Sequence, residues 1–241
     1  MRQVPQYLLI GNGRVSRHFQ HYFSLLHIPF AVWQRSQSLQ ELQQQLVSAT
    51  HVLVLISDGA IEAFIAEHIP AHLTTIHCSG ALVTDKAIGA HPLMTFSQDL
   101  YDLEQYQRIP FIIDADAPDF QMLFPSLDNP HVRLDKAAKA KYHALCVMSG
   151  NFSCILWQKL FSSLQTEFAF PQEIAFPYFE QQAKNILKNP ATALTGPLVR
   201  GDEKTIQKNI AALKDDPFQA VYQSFVACYK KITEELSHEN P

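Results

Sequence analysis

A glycine-rich turn near the start of the chain has the residue types that bind phosphate. The sequence GNGRVS at 11–16 follows the apolar run YLLI at 7–10 and precedes a helical pattern. In a dinucleotide-binding turn, the first glycine makes the tight bend and the second lets backbone N–H groups approach the pyrophosphate. A third small residue, Ser16 here, lets the helix pack on the strand; a purely structural turn is the alternative. The residues that we expect to bind pyrophosphate are Gly11, Asn12, Gly13, Arg14 and Val15.

The turn after the second predicted strand carries a cation where an NAD site would carry a carboxylate. PFAVWQ (29–34) is followed by Arg35 and Ser36, about 20 residues past the glycines, which is the distance of the ribose-binding position. A guanidinium binds a 2′-phosphate bidentately, whereas a carboxylate would repel it. We therefore predict NADP rather than NAD; a solvated surface arginine is the alternative for Arg35.

Three further loops place polar groups after predicted strands. Ser57 ends HVLVLIS (51–57) and Asp58 follows it, Ser79 lies within IHCSGALV, and His91 lies within GAHPLMTF. We expect Ser57, Asp58 and Ser79 to contact the cofactor and His91 to contact the substrate, because an imidazole can exchange a proton near neutral pH. The alternatives are a helix cap for Asp58 and a loop-packing role for His91.

One predicted helix in the second half of the chain carries polar residues among apolar neighbours. His143, Gly150 and Asn151 lie seven and eight residues apart in KAAKAKYHALCVMSGNFSCIL (136–156), so they share broadly one face of the helix. Polar side chains on an apolar helix are costly to bury unless they find partners. They therefore either face a cleft or satisfy a network between helices, and Gly150 indicates the close approach of a helix or of a ligand.

Composition favours small-molecule chemistry. The 241 residues have a formal net charge of -4 and no dense cationic cluster, which argues against nucleic-acid binding. Four widely spaced cysteines without a CxxC pair indicate reduced thiols and no metal site. No apolar run reaches the about 18 residues of a membrane helix. We therefore expect a cytoplasmic protein that acts on a small molecule and does not bind a membrane.

The order of patterns predicts an α/β protein. Short apolar runs alternate with helical patterns up to residue 135, which is typical of a Rossmann-type parallel sheet covered on both faces. Long helical patterns follow, at 136–161, 172–187, 202–213 and 218–236. We therefore predict a nucleotide-binding domain at 1–135 and an all-helical domain at 136–241.

Taken together and in order, GNGRVS, HCSGAL, HPLMTF, KAKYHAL with Gly150-Asn151, and ALTGPLVRGD resemble a bacterial family. The sequence resembles the Rossmann-like proteins with the domain of unknown function DUF2520, relatives of pyrroline-5-carboxylate reductase and of 6-phosphogluconate dehydrogenase-like oxidoreductases. The resemblance implies an NADP-binding N-terminal fold and a homodimer formed through the C-terminal helices. Members often carry Gly or Ala where this chain has Ser16.

The resemblance also implies an active-site role for the first helix after the nucleotide domain. Related dehydrogenases use a lysine and an asparagine there, so His143 becomes the expected general acid and Asn151 the residue that orients the substrate oxygen, with Lys139 as an alternative donor. The expected reaction is hydride transfer between NADPH and a small carbonyl or imine carbon. A non-catalytic NADP-binding sensor or scaffold, and a reductase with a deazaflavin partner, are the alternatives.

Overall fold

The computed structural model describes residues 5–239, and the side chains of residues 5–235. Seven strands form one sheet: β1 (Tyr7–Ile10), β2 (Phe30–Trp33), β3 (His51–Val54), β4 (Thr74–His77), β5 (Ile88–Pro92), β6 (Phe111–Asp114) and β7 (His131–Leu134). Their order is β2-β1-β3-β4-β5-β6-β7. Neighbouring strands are parallel except β5 and β6, which are antiparallel. The predicted α/β class is confirmed.

The helices of the first half alternate with these strands. They are α1 (Arg14–Leu25), α2 (Leu39–Ser48), α3 (Asp58–His68), α4 (Leu103–Gln107) and α5 (Phe120–Leu123). Those of the second half are α6 (Lys139–Cys146), α7 (Ser153–Thr166), α8 (Phe176–Lys188), α9 (Glu203–Ala212) and α10 (Phe218–Glu239). Across residues 5–239, none of these helices combines the length and the apolar character that a membrane span requires.

The position of β1 in the sheet explains why its sequence is apolar without alternation. Leu8 and Ile10 pack into one core layer, which contains α2 and α3 side chains. Tyr7 and Leu9 point to the opposite face and pack into a second layer, with α1 and α5. Both faces of the strand are therefore buried, as expected for a parallel sheet between two helical layers.

The register of the sheet brings the predicted cofactor loops to one edge. Ile10 at the end of β1 is aligned with Trp33 on β2 and with Val54 on β3. Val54 is aligned in turn with His77 on β4. The chain leaves β1 toward β2 on one side and returns to β3 on the other, so the carboxyl edge beside β1 is a topological switch point, where open α/β sheets bind ligands.

One strand differs from the sequence-based expectation. The sequence pattern indicates a loop at GAHPLMTF, but its first four residues belong to β5, in which His91 pairs with Ile112 of the antiparallel β6. Gly89 and Ala90 have low β propensity, and Pro92 is tolerated because it lies at the end of the strand. Only pairing with distant residues identifies this segment as a strand.

The long helix predicted at 136–161 is continuous but not uniformly α-helical. A 3₁₀ turn at Lys136–Ala138 leads into α6, and a π-helical segment at Val147–Phe152 separates α6 from α7. By packing, the chain forms two compact units that divide between Leu156 and Trp157. The predicted domains, 1–135 and 136–241, place the division before α6; their residues 1–4 and 240–241 lie outside the described residues.

Aromatic and ionic contacts join the helices within the second unit. Trp157 on α7 contacts the rings of Tyr178 and Phe179 on α8. Lys159 forms an ion pair with Asp216, with 2.5 Å between Nζ and Oδ2, and this contact joins α7 to the turn before α10. The helices predicted at 172–187, 202–213 and 218–236 correspond to α8, α9 and α10.

A buried ion pair holds the start of α6 against the sheet. Lys139 Nζ donates to Asp114 Oδ1 at 2.7 Å, and both side chains are almost completely buried. The second oxygen of Asp114 accepts from the backbone N–H of Gly89 at 2.7 Å. Gly89 is required there, because a side chain on it would collide with the Lys139 ammonium. Both charges are therefore satisfied, which a buried ion pair requires.

His77, at the end of β4, is a buried imidazole close to this pair. Its Nδ1 accepts from the backbone N–H of Ser79 at 3.2 Å, and its Nε2 has no partner within the described residues. Burial, with a smaller contribution from the nearby Lys139 ammonium, lowers the pKa of His77 to about 4. The folded protein therefore holds His77 in its neutral form.

We predict that His77 makes folding stability depend on pH below 6.5. Between about pH 4 and 6.5 the unfolded chain binds a proton at this residue that the folded chain does not, so this stability is present above pH 6.5 and is lost as the pH falls. The loss approaches about 3 kcal/mol for a shift of this size. His77→Asn keeps an acceptor for Ser79 but cannot titrate, so urea unfolding from pH 4.5 to 7 should give a flatter profile than that of the unchanged chain. The exposed His72→Asn is the control, and equal slopes for all three proteins would contradict the prediction.

Candidate functional site

Gly11 makes the bend between β1 and α1 in a conformation that only glycine adopts easily. Its φ is +108°, and a Cβ on it would lie 2.5 Å from the carbonyl oxygen of Leu55 on the neighbouring chain segment. Its N–H donates to the Trp33 carbonyl at 2.8 Å. The first glycine of the motif is thus required by the sheet itself.

Gly13 leaves the beginning of α1 open. It is the N-cap residue of the helix, no side chain caps the free N–H groups, and the first turn has no acidic residue. A Cβ on Gly13 would have nothing within 4 Å. Free N–H groups and the helix dipole favour an anion at this position, so the residues present fit a pyrophosphate.

Ser16 fulfils the role of the third small residue. Its side chain is completely buried, and its Oγ donates to the Gly11 carbonyl at 2.7 Å and accepts from Gln20 Nε2 at 3.1 Å. The hydroxyl therefore fastens the turn to the helix, and the departure from Gly or Ala at this position leaves the turn intact. The half-buried Val15 packs on the sheet core beside it.

Arg35 and Ser36 lie in the exposed turn that follows β2. Trp33, the last residue of β2, is aligned with Ile10, so this turn lies at the same edge of the sheet as the glycine turn. Asn12 Nδ2 donates to Gln34 Oε1 at 2.9 Å and connects the two turns. Within the described residues the Arg35 guanidinium has no hydrogen-bond or ion-pair partner in the protein, so it is available to an anionic ligand.

The loops after β3 and β4 interact directly. Ser79 Oγ donates to Asp58 Oδ2 at 2.5 Å and accepts from the backbone N–H groups of Ala81 and Leu82. Asp58 therefore does not cap α3 with its side chain, the alternative that the sequence left open; Ser57 is the N-cap residue, and its side chain makes no cap hydrogen bond either. Ser57 and Asp58 are exposed and Ser79 is buried, so the two former are the accessible groups of this cluster.

The predicted catalytic residues line one open cleft of about 840 Å³. His91 comes from β5, His143 from α6 and Asn151 from the π-helical segment, and Arg14 at the beginning of α1 forms part of the same wall. Arg14 also donates to the Phe96 carbonyl at 3.3 Å. Apolar side chains complete the lining: Leu93, Met94, Phe96, Leu145 and Val147. The arrangement can hold a small, partly apolar molecule beside two imidazoles.

Gly80 allows the two imidazoles to approach the end of β4. A Cβ on Gly80 would lie 2.5 Å from His143 Cδ2 and 3.2 Å from His91 Nε2. The two rings are nearly perpendicular, with 6.0 Å between their centroids. Burial lowers the pKa of His91 to about 4, with smaller contributions from His143 and from Lys139. His91 is therefore uncharged at neutral pH.

The π-helical segment sets the position of Asn151 relative to His143. A π turn has more residues than an α turn, so it rotates the chain less per residue. In a regular α-helix two residues eight positions apart are offset by about 80°, and the π turn reduces this offset. A Cβ on Gly150 would have nothing within 4 Å among the described residues, so the space beside this glycine is open.

Tyr142 and Lys139 lie differently from what their sequence context indicates. Tyr142 lines the cleft and its hydroxyl lies 2.8 Å from His91 Nδ1, but a tyrosine on an apolar helix is usually core. The feature of the sequence that could have indicated a polar role for Tyr142 is its position next to His143. Lys139, considered as a donor, is buried in its ion pair with Asp114 and does not line the cleft.

Comparisons with known proteins agree with this architecture. The family described as "Domain of unknown function (DUF2520)" matches residues 109–228. The fold is similar to that of the "putative NADP oxidoreductase BF3122" from Bacteroides fragilis, with 21% identity, a TM-score of 0.76, and coverage of 94% of this chain and 98% of that one. It is also similar to protein TM1727 from Thermotoga maritima, with 19% identity, a TM-score of 0.70, and coverage of 96% and 99%.

A more distant similarity connects the chain to a reductive aminase from Aspergillus terreus, solved in complex with NADPH and ethyl levulinate. The identity is 12%, the TM-score is 0.62, and 97% of this chain and 95% of that one are covered. A comparison with the curated proteins gives no significant match. At these identities the solved structures establish a shared Rossmann-like fold. The match of residues 109–228 to the DUF2520 family confirms the predicted resemblance.

The two glycines of the turn should respond differently to the same substitution. Gly11→Ala forces a side chain against the Leu55 carbonyl at a positive φ, so we expect a loss of about 1–3 kcal/mol in unfolding free energy. Gly13→Ala has space for its methyl group and should unfold like the unchanged chain. Its methyl group would nevertheless stand between the free N–H groups and a pyrophosphate, so fluorescence titration should show weaker NADPH binding. Equal stability of the two variants, or unchanged NADPH affinity in Gly13→Ala, would contradict this assignment.

Proposed function

We propose that the protein is an NADP-dependent oxidoreductase that transfers a hydride between NADPH and a small carbonyl or imine substrate. The observation that carries the proposal is the uncapped beginning of α1 at a switch point of the sheet, with a cleft containing two imidazoles next to it. Proteins of the same fold that are named as NADP oxidoreductases, or that were solved with NADPH, support the choice of cofactor.

Each part of the site has a distinct task in this proposal. Gly11 to Val15 would hold the pyrophosphate, and Arg35 with Ser36 would bind the 2′-phosphate. Ser57, Asp58 and Ser79 would border the nicotinamide end of the cofactor. When bound, NADPH supplies a hydride to an electrophilic carbon, and the protein supplies orientation and charge stabilisation.

His143 would supply the proton. Reduction of a carbonyl leaves negative charge on the oxygen, and a cleft imidazole can transfer its N–H proton to that atom. Asn151, brought toward the His143 side by the π-helical segment, would hold the same oxygen through its amide N–H group. Lys139 takes no part in this step, because its ammonium is buried against Asp114.

We also propose that the protein acts in the cytoplasm as a homodimer formed through its C-terminal helices. Large apolar side chains on α8 and α10 support self-association, because they are exposed in the single chain: Ile186, Leu187, Phe225 and Ile232.

Arg35→Ala tests the cofactor assignment. A charge-assisted hydrogen bond contributes about 1.5–3 kcal/mol, so we expect NADPH affinity to fall by roughly 10- to 100-fold and NADH affinity to change little. Arg108 is exposed and directly follows α4, so Arg108→Ala is the control for the loss of a surface charge. The measurement is the ratio of the two dissociation constants by fluorescence titration. An unchanged preference for NADPH in Arg35→Ala would contradict the role of Arg35.

His143→Gln tests the catalytic assignment. With a panel of keto acids, aldehydes and imines, we expect NADPH oxidation to fall by about 10²- to 10⁴-fold while NADPH affinity is kept, since the variant loses only the proton donor. The exposed His72→Gln should retain full activity. Full turnover in His143→Gln would rule out the general-acid role. If the unchanged chain binds NADPH but oxidises it with no compound of the panel, the result would favour a non-catalytic NADP-binding sensor.

A further inference from the structure

Tyr142 and His91 form a hydrogen bond at the wall of the cleft. The distance between Tyr142 Oη and His91 Nδ1 is 2.8 Å, and the two rings are nearly perpendicular, with 5.7 Å between their centroids. His91 belongs to β5 and Tyr142 to α6, so the bond joins the sheet to the helix that carries His143. A hydrogen bond to one ring nitrogen determines which nitrogen of a neutral imidazole carries the proton.

The phenol is the better candidate for the donor in this bond. Burial raises the pKa of Tyr142, and the contact with Cys146 raises it further, so the hydroxyl keeps its proton. A thiol is a weak acceptor and an imidazole nitrogen is a strong one. Tyr142 therefore donates to His91 Nδ1.

The other nitrogen of His91, Nε2, belongs to a residue that lines the cleft. His91 Nε2 would be 3.2 Å from a Cβ on Gly80, so it lies beside the loop that follows β4. Among the described residues, no protein group is hydrogen-bonded to His91 Nε2. With Nδ1 accepting from Tyr142, Nε2 carries the hydrogen of the neutral ring and is available as a donor to a ligand in the cleft.

We propose that Tyr142 is a positioning residue that fixes His91 as the Nε2–H tautomer, so that His91 is a permanent, uncharged hydrogen-bond donor to the substrate oxygen. The role of His91 as a donor to the substrate rests on the proposed function, whereas its tautomer is a property of the protein alone. The two histidines then have separate tasks. His91 stabilises the developing negative charge, and His143 transfers the proton.

The proton balance of the step is simple. NADPH would supply the hydride by breaking a C–H bond and would be left as NADP⁺; the hydride bonds to the substrate carbon, and the carbon–oxygen π electrons move to the oxygen. The oxygen then forms a bond to the proton of protonated His143, whose N–H bond breaks, and His143 is left neutral until it takes a proton from water. His91 keeps its Nε2 hydrogen throughout. The charged and titratable groups that act on the pKa of His91 are His143, Lys139 and Asp58. Asp58 favours the protonated imidazole, but burial of His91 outweighs this effect.

The direct test is the nitrogen NMR spectrum of the full-length protein labelled with ¹⁵N-histidine, recorded near pH 7 without cofactor or substrate. We expect His91, assigned by its absence in His91→Gln, to show the pattern of a neutral Nε2–H imidazole. Tyr142→Phe keeps the ring but removes the hydroxyl, and its His91 signals should move toward a mixture of tautomers; Tyr178→Phe should change nothing. A neutral Nδ1–H tautomer in the unchanged protein, or an unchanged tautomer in Tyr142→Phe, would overturn the proposal.

A double-mutant cycle adds a kinetic readout. In the unchanged background, loss of this neutral hydrogen bond in Tyr142→Phe should lower kcat/KM by about tenfold. The side chain of His91→Gln offers an N–H donor near the Nε2 position and has no alternative tautomer. In that background Tyr142→Phe should therefore lower kcat/KM by less than about twofold. An equal loss in both backgrounds would mean that Tyr142 acts on the substrate itself. Absence of turnover in all proteins would contradict the proposed function and leave the NMR result as the test of the tautomer.

Discussion

The structure depends on one electrostatic constraint, the uncompensated beginning of α1. Helix N-termini normally find a side-chain cap or an acidic residue in the first turn, and this helix has neither. The bend that produces it is specified by Gly11, which is enclosed by the Leu55 carbonyl, whereas Gly13 faces open space. The requirement of the fold thus falls on Gly11, and the proposed pyrophosphate contact falls on Gly13. The positive potential that results is directed toward the carboxyl edge of the sheet, where the other site loops lie.

The second determinant is the buried pair of Lys139 and Asp114. It fixes the start of α6 over the end of β6, and it links to β5 through the backbone of Gly89. Because His91 lies on β5 and His143 on α6, the same pair determines how far apart the two imidazoles are. The family resemblance suggests Lys139 as an alternative proton donor. In the structure Lys139 instead helps to position the residues that line the cleft.

Sequence patterns predicted the features that local chemistry specifies. The glycine turn, the apolar strands and the turn with Arg35 follow from residue types at fixed spacing, and the alternation of strands and helices gave the α/β class. The features that were missed depend on distant partners. Strand β5 exists through pairing with β6, the π-helical segment replaces a regular helix at a position without a distinctive sequence, and Tyr142 acquires its polar role only through contact with His91.

The central claim is that the α1 N-terminus and Arg35 together bind a nicotinamide dinucleotide with a 2′-phosphate. Calorimetric titration of the full-length chain with NADPH, at two temperatures and at low and moderate salt, tests it most directly. We expect saturable binding of about one NADPH per chain that weakens as salt increases, because phosphate contacts are partly screened. An absence of saturable heat at both temperatures, with reduced and oxidised forms of both pyridine nucleotides, would contradict it.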